Sequence, residues 1–190
     1  MVTYTSFMNS PKLILLDGFA GVGKTTLAKR YVADHPLAMD LEGDEIIVML
    51  GQWLTHEAEA RELLFGIGKA MISTHLTSGH DVVVPCLPTN VQHQKAFADI
   101  ARRTGAQFFE VVLVTEREEA IQRLLKRGTW GEEGTDPLTE ADLPVIEKLY
   151  DDMARTLAER PDAVRISSVE DGHDDTYQQF LAAVGEVSEI

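Results

Sequence analysis

The sequence has a single cysteine, Cys86, in 190 residues. One thiol excludes an internal disulfide framework and any multi-cysteine metal site, and it makes a reducing, cytoplasmic setting the simpler expectation. The histidines never fall at H-x-x-x-H or H-E-x-x-H spacing, which argues against a zinc centre. Long hydrophobic runs are also missing. The longest aliphatic stretches, residues 13–16 and 82–84, are far short of the ~20 residues that a spanning helix needs, so no membrane partner is expected. The first ten residues carry no positive charge ahead of an apolar stretch and do not read as a secretory signal. Basic residues are scarce: 17 Lys and Arg face 31 Asp and Glu, a net charge of −14. That balance argues against a nucleic-acid partner, because affinity for a phosphate backbone comes mainly from clustered Lys and Arg.

The deficit is uneven. Residues 1–115 carry 9 basic and 12 acidic side chains, and residues 116–190 carry 8 and 19. An anion site therefore belongs in the N-terminal part. Hydrophobic residues make up 44% of the chain, too many for a globally disordered state.

Short apolar runs alternate with longer amphipathic ones, the pattern of an α/β domain with a mostly parallel sheet. Strands are predicted over residues 12–17, 37–41, 81–86, 107–114 and 163–167. Helices are predicted over 25–34, 45–54, 56–78, 91–104, 116–127, from about 140 to 160, and 174–187. In the helix over 56–78, Leu63, Leu64, Ile67, Met71 and His75 fall near 3.6 spacing and form the expected apolar stripe. In the helix after residue 140 the stripe is Leu143, Ile146, Tyr150, Met153 and Leu157, and Thr139 to Asp142 has the form of a capping box. Residues 128–137 hold three glycines, three acids and a proline and read as a loop. No repeat or linker divides the chain, so one domain over 1–190 is expected, as a monomer or a homodimer.

One motif is specific. Gly18-Phe19-Ala20-Gly21-Val22-Gly23-Lys24-Thr25 fits G-x-x-x-x-G-K-[ST] between a predicted strand and a predicted helix. Glycines let the backbone curl so that successive N–H groups point inward and cradle phosphate oxygens, and the helix that follows aims its positive end at the same place. Main-chain groups of Gly18, Ala20, Gly21, Val22, Gly23 and Thr26 are the expected nest. Lys24 can reach the β- and γ-phosphates, and the Thr25 hydroxyl can ligate Mg²⁺. The cofactors expected are ATP and Mg²⁺. A GTPase would add N/T-K-x-D and a D-x-x-G after a strand, and neither stands in place. An ATP-driven motor would end its third strand in a carboxylate, whereas this strand ends Val84-Pro85-Cys86-Leu87-Pro88.

Carboxylates follow the second strand instead, in Asp40-Leu41-Glu42-Gly43-Asp44. Here the chain resembles the small-molecule P-loop kinases: gluconate kinase, shikimate kinase, adenylylsulfate kinase and chloramphenicol phosphotransferase. Those families carry D-G-D or D-x-D at this point. The resemblance implies a three-layer α/β/α P-loop fold, with a five-stranded parallel sheet in order 2-3-1-4-5 and a mobile lid over about 128–138. It places Glu42 on the first acid, which helps hold Mg²⁺, and Asp44 on the second, which contacts or deprotonates the acceptor hydroxyl. Glu42 departs from the family by one methylene. A helix ending in arginine leads into the lid of these kinases, and Arg123 and Arg127 stand there, four residues apart on one helical face. The lid itself departs from many relatives in having no arginine, so Arg127 alone serves or Arg155 reaches in.

The implied activity is transfer of the γ-phosphoryl group of ATP to a hydroxyl of a small molecule. Two alternatives stay open: a kinase of nucleotides or nucleic-acid ends, and a nucleotide-binding regulatory or chaperone-like module with slow hydrolysis. Several residues have a structural and a functional reading. Asp44 and Asn90 can cap helices or serve the site, Trp53 can be core or acceptor pocket, and Arg61 can be a solvated charge or part of that pocket. Thr89 and the turn at 167–172 can only be placed near the ligand edge of the sheet. Cys86 reads as a small buried hydrophobe rather than a nucleophile.

Overall fold

The computed structural model describes residues 10–88, 90–168 and 172–186, with the backbone alone at His173. Thr89, residues 169–171 of the last predicted turn and the end of the last predicted helix lie outside the described residues, as does nearly all of the N-terminal segment read above for a signal.

The elements are β1 (Lys12–Gly18), α1 (Lys24–Asp34), β2 (Met39–Asp40), α2 (Gly43–Ile47), α3 (Glu57–Thr77), β3 (Val82–Cys86), α4 (Val91–Thr104), β4 (Gln107–Val114), α5 (Arg117–Arg127), α6 (Leu143–Ala158), β5 (Val164–Ser167) and α7 (His173–Ala183). The five strands form one sheet in the order β2-β3-β1-β4-β5, and every pairing is parallel. This is the order that the resemblance implied. β1 is central and buried on both faces, which explains its unbroken apolar run. Successive side chains of a strand point to opposite faces. Leu13 and Leu15 accordingly pack with Ile72, Leu76, Phe97 and Ile100 of α3 and α4. Ile14 and Leu16 pack with Leu27, Tyr31, Leu124, Ile146 and Phe180 of α1, α5, α6 and α7. No helix among the described residues is long and apolar enough to cross a membrane.

Three predicted elements change. β2 is only two residues long, because Leu37 takes a left-handed φ of 61° after Pro36 and cannot begin a strand. The helix predicted over 45–54 ends at Ile47; Gln52, at φ 58°, turns the chain into a 3-10 turn over Trp53–His56. α3 is rotated relative to its predicted stripe. It buries Ala60, Gly68, Ile72 and Leu76, and leaves Leu63, Ile67 and Met71 at 58%, 36% and 37% exposure. Gly68 faces the Leu41 side chain, where a small residue permits close approach. The stripe of α6 lies as expected, with Ile146, Met153 and Leu157 buried. The capping box at Thr139 and Asp142 forms, but it opens a 3-10 turn ahead of α6.

Candidate active site

The loop that joins β1 to α1 is built on Gly18. At φ 151° this residue packs so closely that an added Cβ would stand 2.9 Å from the Leu113 carbonyl oxygen and 3.0 Å from Val22 Cγ2. A side chain there would push the turn off the sheet. Gly23 caps α1 in a left-handed conformation without a side-chain acceptor, so the first N–H groups of the helix stay available to an anion. Phe19 and Val22 are buried and anchor the loop in the core.

Lys24 folds over this loop and donates to the carbonyls of Gly18 (2.9 Å) and Phe19 (2.8 Å). Burial pulls its pKa down to about 8, against the opposing pull of Cys86, Glu42 and Asp17. Thr25 Oγ1 donates to Glu42 Oε2 at 2.7 Å. The two oxygens assigned by sequence to Mg²⁺ thus stand together at the mouth of the loop. Magnesium is usually held by one or two protein oxygens plus phosphates and water, so this donor pair fits the ion. Among the described residues no cluster of three or more potential metal ligands occurs.

Asp44 opens α2, in the first turn, where a carboxylate also favours the helix end. Burial and the neighbouring carboxylates of Glu132 and Glu42 lift its pKa to about 6, and Lys24 and Arg127 oppose them. Asp40, behind it, is likewise raised to about 6 by burial and by Glu42. The loop over residues 128–138, the predicted lid, meets Asp44 directly. A Cβ on Gly131 would stand 2.7 Å from Asp44 Oδ2, so the lid backbone seats on the carboxylate only because residue 131 has no side chain. Glu132 reaches back to Arg61 of α3 at 3.1 Å, and Leu54 lies against Gly134. Arg61, half exposed, is therefore a lid contact and also pairs with Glu57 along its own helix.

Arg127 ends α5 and donates from Nε to the Thr129 carbonyl at 2.8 Å and from Nη2 to that of Trp130. Arg123, one turn earlier, is mostly buried. It pairs with Glu119 and reaches the Ser168 hydroxyl at 3.4 Å, and that hydroxyl donates to the Val22 carbonyl at 2.6 Å. A cavity of about 350 Å³ lies between residues 21–23 of the loop, Arg123, Lys126 and Arg127 of α5, and Ser168 beyond β5. The Arg155 side chain is 76% exposed and pairs with Asp152. Asn90 caps α4, accepting from the Gln92 amide at 2.9 Å. Trp53 is core, packed with Ile47 and Ala60. Cys86 is half-buried, and desolvation pushes its thiol up to about 12, so it stays a neutral thiol.

One group escaped the sequence reading. Asp17, the residue before Gly18, is fully buried and accepts from Arg160 Nη1 at 2.8 Å, and the same nitrogen donates to Glu110 of β4. A signal was present: Asp17 and Glu110 are acids inside two apolar strands, on the same face of the sheet, and buried carboxylates demand a cation. Nothing in the sequence said that the cation would come from residue 160, fifty residues past Glu110.

These features define a P-loop nucleotide-binding domain of kinase-like fold. A family model described as an AAA domain matches residues 13–149, and the chain belongs to that family. No curated protein matches it. Among solved structures it is similar to a chain of the Pnkp1/Rnl/Hen1 RNA repair complex, at 18% identity and a TM-score of 0.62. The match covers 82% of this chain and 48% of that one, so the chain spans about half the length of that relative. It is similar to a gluconokinase from Sinorhizobium meliloti 1021 at 16% identity and a TM-score of 0.58, over 93% and 94% of the two chains. It is also similar to the APS kinase CysC of Mycobacterium tuberculosis, solved with AMPPNP and APS, at 18% identity and a TM-score of 0.55, over 93% and 99%.

Proposed function

We propose that the protein is an ATP-dependent phosphotransferase that moves the γ-phosphoryl group onto a hydroxyl of a small molecule carrying no negative charge. The observation that carries this reading is the convergence on one loop of Lys24, the Thr25–Glu42 pair and Asp44, with Arg127 and the lid directly above. In the proposed complex the triphosphate occupies the cradle of amides from residues 18–26 and competes with the Gly18 and Phe19 carbonyls for Lys24 Nζ. Thr25 and Glu42 would hold Mg²⁺, which would supply charge neutralisation of the phosphates. Asp44 accepts the proton of the acceptor hydroxyl; a base of pKa about 6 is ionised at neutral pH yet basic enough for the task. Arg127 turns from the lid carbonyls to the phosphoryl group and covers its charge. Arg123 and Ser168 flank the rest of the nucleotide.

The acceptor's charge follows from its neighbours. Asp44, Glu132 and Glu42 face the space beside the γ-phosphate, Lys24 and Arg127 are committed to phosphate, and Arg61 is already paired with two acids. An anionic acceptor meets uncompensated repulsion there. The likeness to a chain of an RNA repair complex favours a second reading, a nucleic-acid-end kinase.

Release of ADP from MgATP separates these readings when measured alone, then with pooled neutral or amino-bearing alcohols, with carboxylated sugars, and with a 5′-hydroxyl oligonucleotide. Strong stimulation by the first pool is expected. Stimulation by the oligonucleotide alone selects the second reading. A slow rate indifferent to every addition leaves a nucleotide-binding module and contradicts the kinase.

A further inference from the structure

The polar cluster beneath the P-loop has more negative charge than its surroundings can neutralise. Asp17 Oδ2 and Glu110 Oε1 share a single guanidinium nitrogen, Nη1 of Arg160. Asp17 is 0% exposed and Arg160 8% exposed. Asp17 Oδ1, Arg160 Nε and Arg160 Nη2 are buried without a hydrogen-bond partner. The Gln94 amide, in the orientation that satisfies its surroundings, adds only a neutral contact: its oxygen accepts from Arg160 Nη1 at 3.1 Å and its nitrogen donates to the Asn90 carbonyl at 3.0 Å. From β3, Cys86 stands opposite Asp17 in register. From α1, Lys24 provides a more distant positive charge. A second carboxylate on the same cation, that of the partly buried Glu110, favours a proton on the buried Asp17.

This cluster sits one residue ahead of Gly18, whose carbonyl anchors Lys24. A bound triphosphate brings several further negative charges to the amides immediately above. We propose that Asp17 is a proton-linked positioning residue of the P-loop, which takes up a proton from solvent on Oδ1 when a nucleoside triphosphate binds. The bond from Oδ2 to Arg160 is retained, and the α6 end stays tied to the strand that carries the loop. The inference rests on the nucleotide-binding part of the proposed function. Desolvation, partly opposed by Arg160, already lifts Asp17 to about 7, so the proton is available for exchange near neutral pH.

Isothermal titration of the full chain with AMPPNP and Mg²⁺, in buffers of small and large ionisation enthalpy, counts the protons taken up on binding. About half a proton per nucleotide is expected at pH 7, the unfilled fraction of a group with that affinity. Lys24, at about 8, adds only about a tenth. In Asp17→Asn the uptake falls by that half proton, leaving the share of Lys24 and of Asp44 and Asp40, whose values lie near 6. In Glu110→Gln, which removes a charge that raises Asp17, uptake persists but its maximum moves to lower pH; this variant serves if Asp17→Asn does not fold. A second readout reports the raised proton affinity of Asp17 in the nucleotide-free protein. A carboxyl raised in the folded state loses its contribution to stability as pH rises through about 7, so Asp17→Asn melts higher than wild type at pH 8 and gains less at pH 5. Nucleotide binding with no proton uptake, or with uptake unchanged in Asp17→Asn and unmoved in Glu110→Gln, overturns the inference and leaves the kinase reading standing. The absence of any binding heat overturns both.

Discussion

Lys24 and Asp44 divide the proposed chemistry between them, and each can be tested singly. Lys24 is buried against the loop and stands over the cradle. Lys24→Ala removes one preorganised cation, and turnover should drop at least ~10²-fold, the scale for losing such a group. Its circular dichroism should match wild type, since the Lys24 side chain bonds to the loop carbonyls of Gly18 and Phe19. Asp44→Asn keeps the size of the side chain and removes the base. A drop in kcat of ~10²–10⁴-fold with nucleotide affinity unchanged is expected. If steady-state kinetics show a raised KM for MgATP at unchanged kcat, Asp44 belongs to the metal instead. Arg123 and Arg127 share a helix face yet differ in surroundings. Arg123 braces Ser168 and through it the Val22 carbonyl, whereas Arg127 holds the carbonyls of Thr129 and Trp130.

At the scale of elements the lid is the informative part. Its contacts run to the acceptor side: Glu132 to Arg61, Gly131 to Asp44, Gly134 to Leu54. The Glu132–Arg61 pair is partly exposed and contributes up to about 1 kcal/mol. Glu132→Gln should therefore raise the open population of the lid by no more than about five-fold. Trp130 lies within the lid and Trp53 is buried, so acrylamide quenching of tryptophan emission reports the change. Stronger quenching is expected in the variant, and equal quenching would mean that the pair does not hold the lid.

The limits of α4 and β4 could be read from the sequence because local signals agreed: Asn90 at the start of α4, Gly105 at its end, and the apolar run of β4 directly beyond it. The same holds for the P-loop, whose glycines, lysine and flanking periodicities all demand one geometry. α3 failed for the opposite reason. Its sequence offers two adjacent stripes, and the bulky one looked like the core. The buried face is instead the one bearing Ala60, packed with Ile47 and Trp53, and Gly68, set against Leu41, with Ile72 and Leu76 against the sheet. The Arg61–Glu132 contact spans 71 residues and the Asp17–Arg160 contact 143, and no local periodicity encodes either.

For the molecule as a whole, the start of the first strand and the residues just past the last helix meet at the edge opposite the loop. Glu186, just past α7, accepts from Lys12 of β1 and from Tyr31 of α1, and lies 2.8 Å from His35 Nε2. Burial works against its charge, but hydrogen bonds from Lys12 and His35 outweigh that and hold its pKa below the usual range. A depressed carboxylate stabilises the fold above its unfolded pKa, and the contribution disappears as pH falls through the lower folded value. Glu186→Gln should lower the melting temperature by about 2–4 °C at pH 7, for a loss near 1 kcal/mol in a chain of this size. The difference should shrink and disappear as pH falls below the usual carboxylate range. A gap in Tm that is the same at both pH values would remove the charge from the explanation.

This clasp secures the back of the sheet, while the P-loop, the carboxylates of α2 and the lid gather at the front, around one phosphate cradle. The most direct measurement on that arrangement follows the terminal phosphorus of ATP. With ATP labelled at the γ-position, Mg²⁺ and a pool of neutral and amino-bearing alcohols, the label should move onto an organic hydroxyl, and Lys24→Ala should abolish the transfer. Label recovered only as inorganic phosphate, at a rate unaffected by any acceptor, would contradict phosphoryl transfer as the activity of this site.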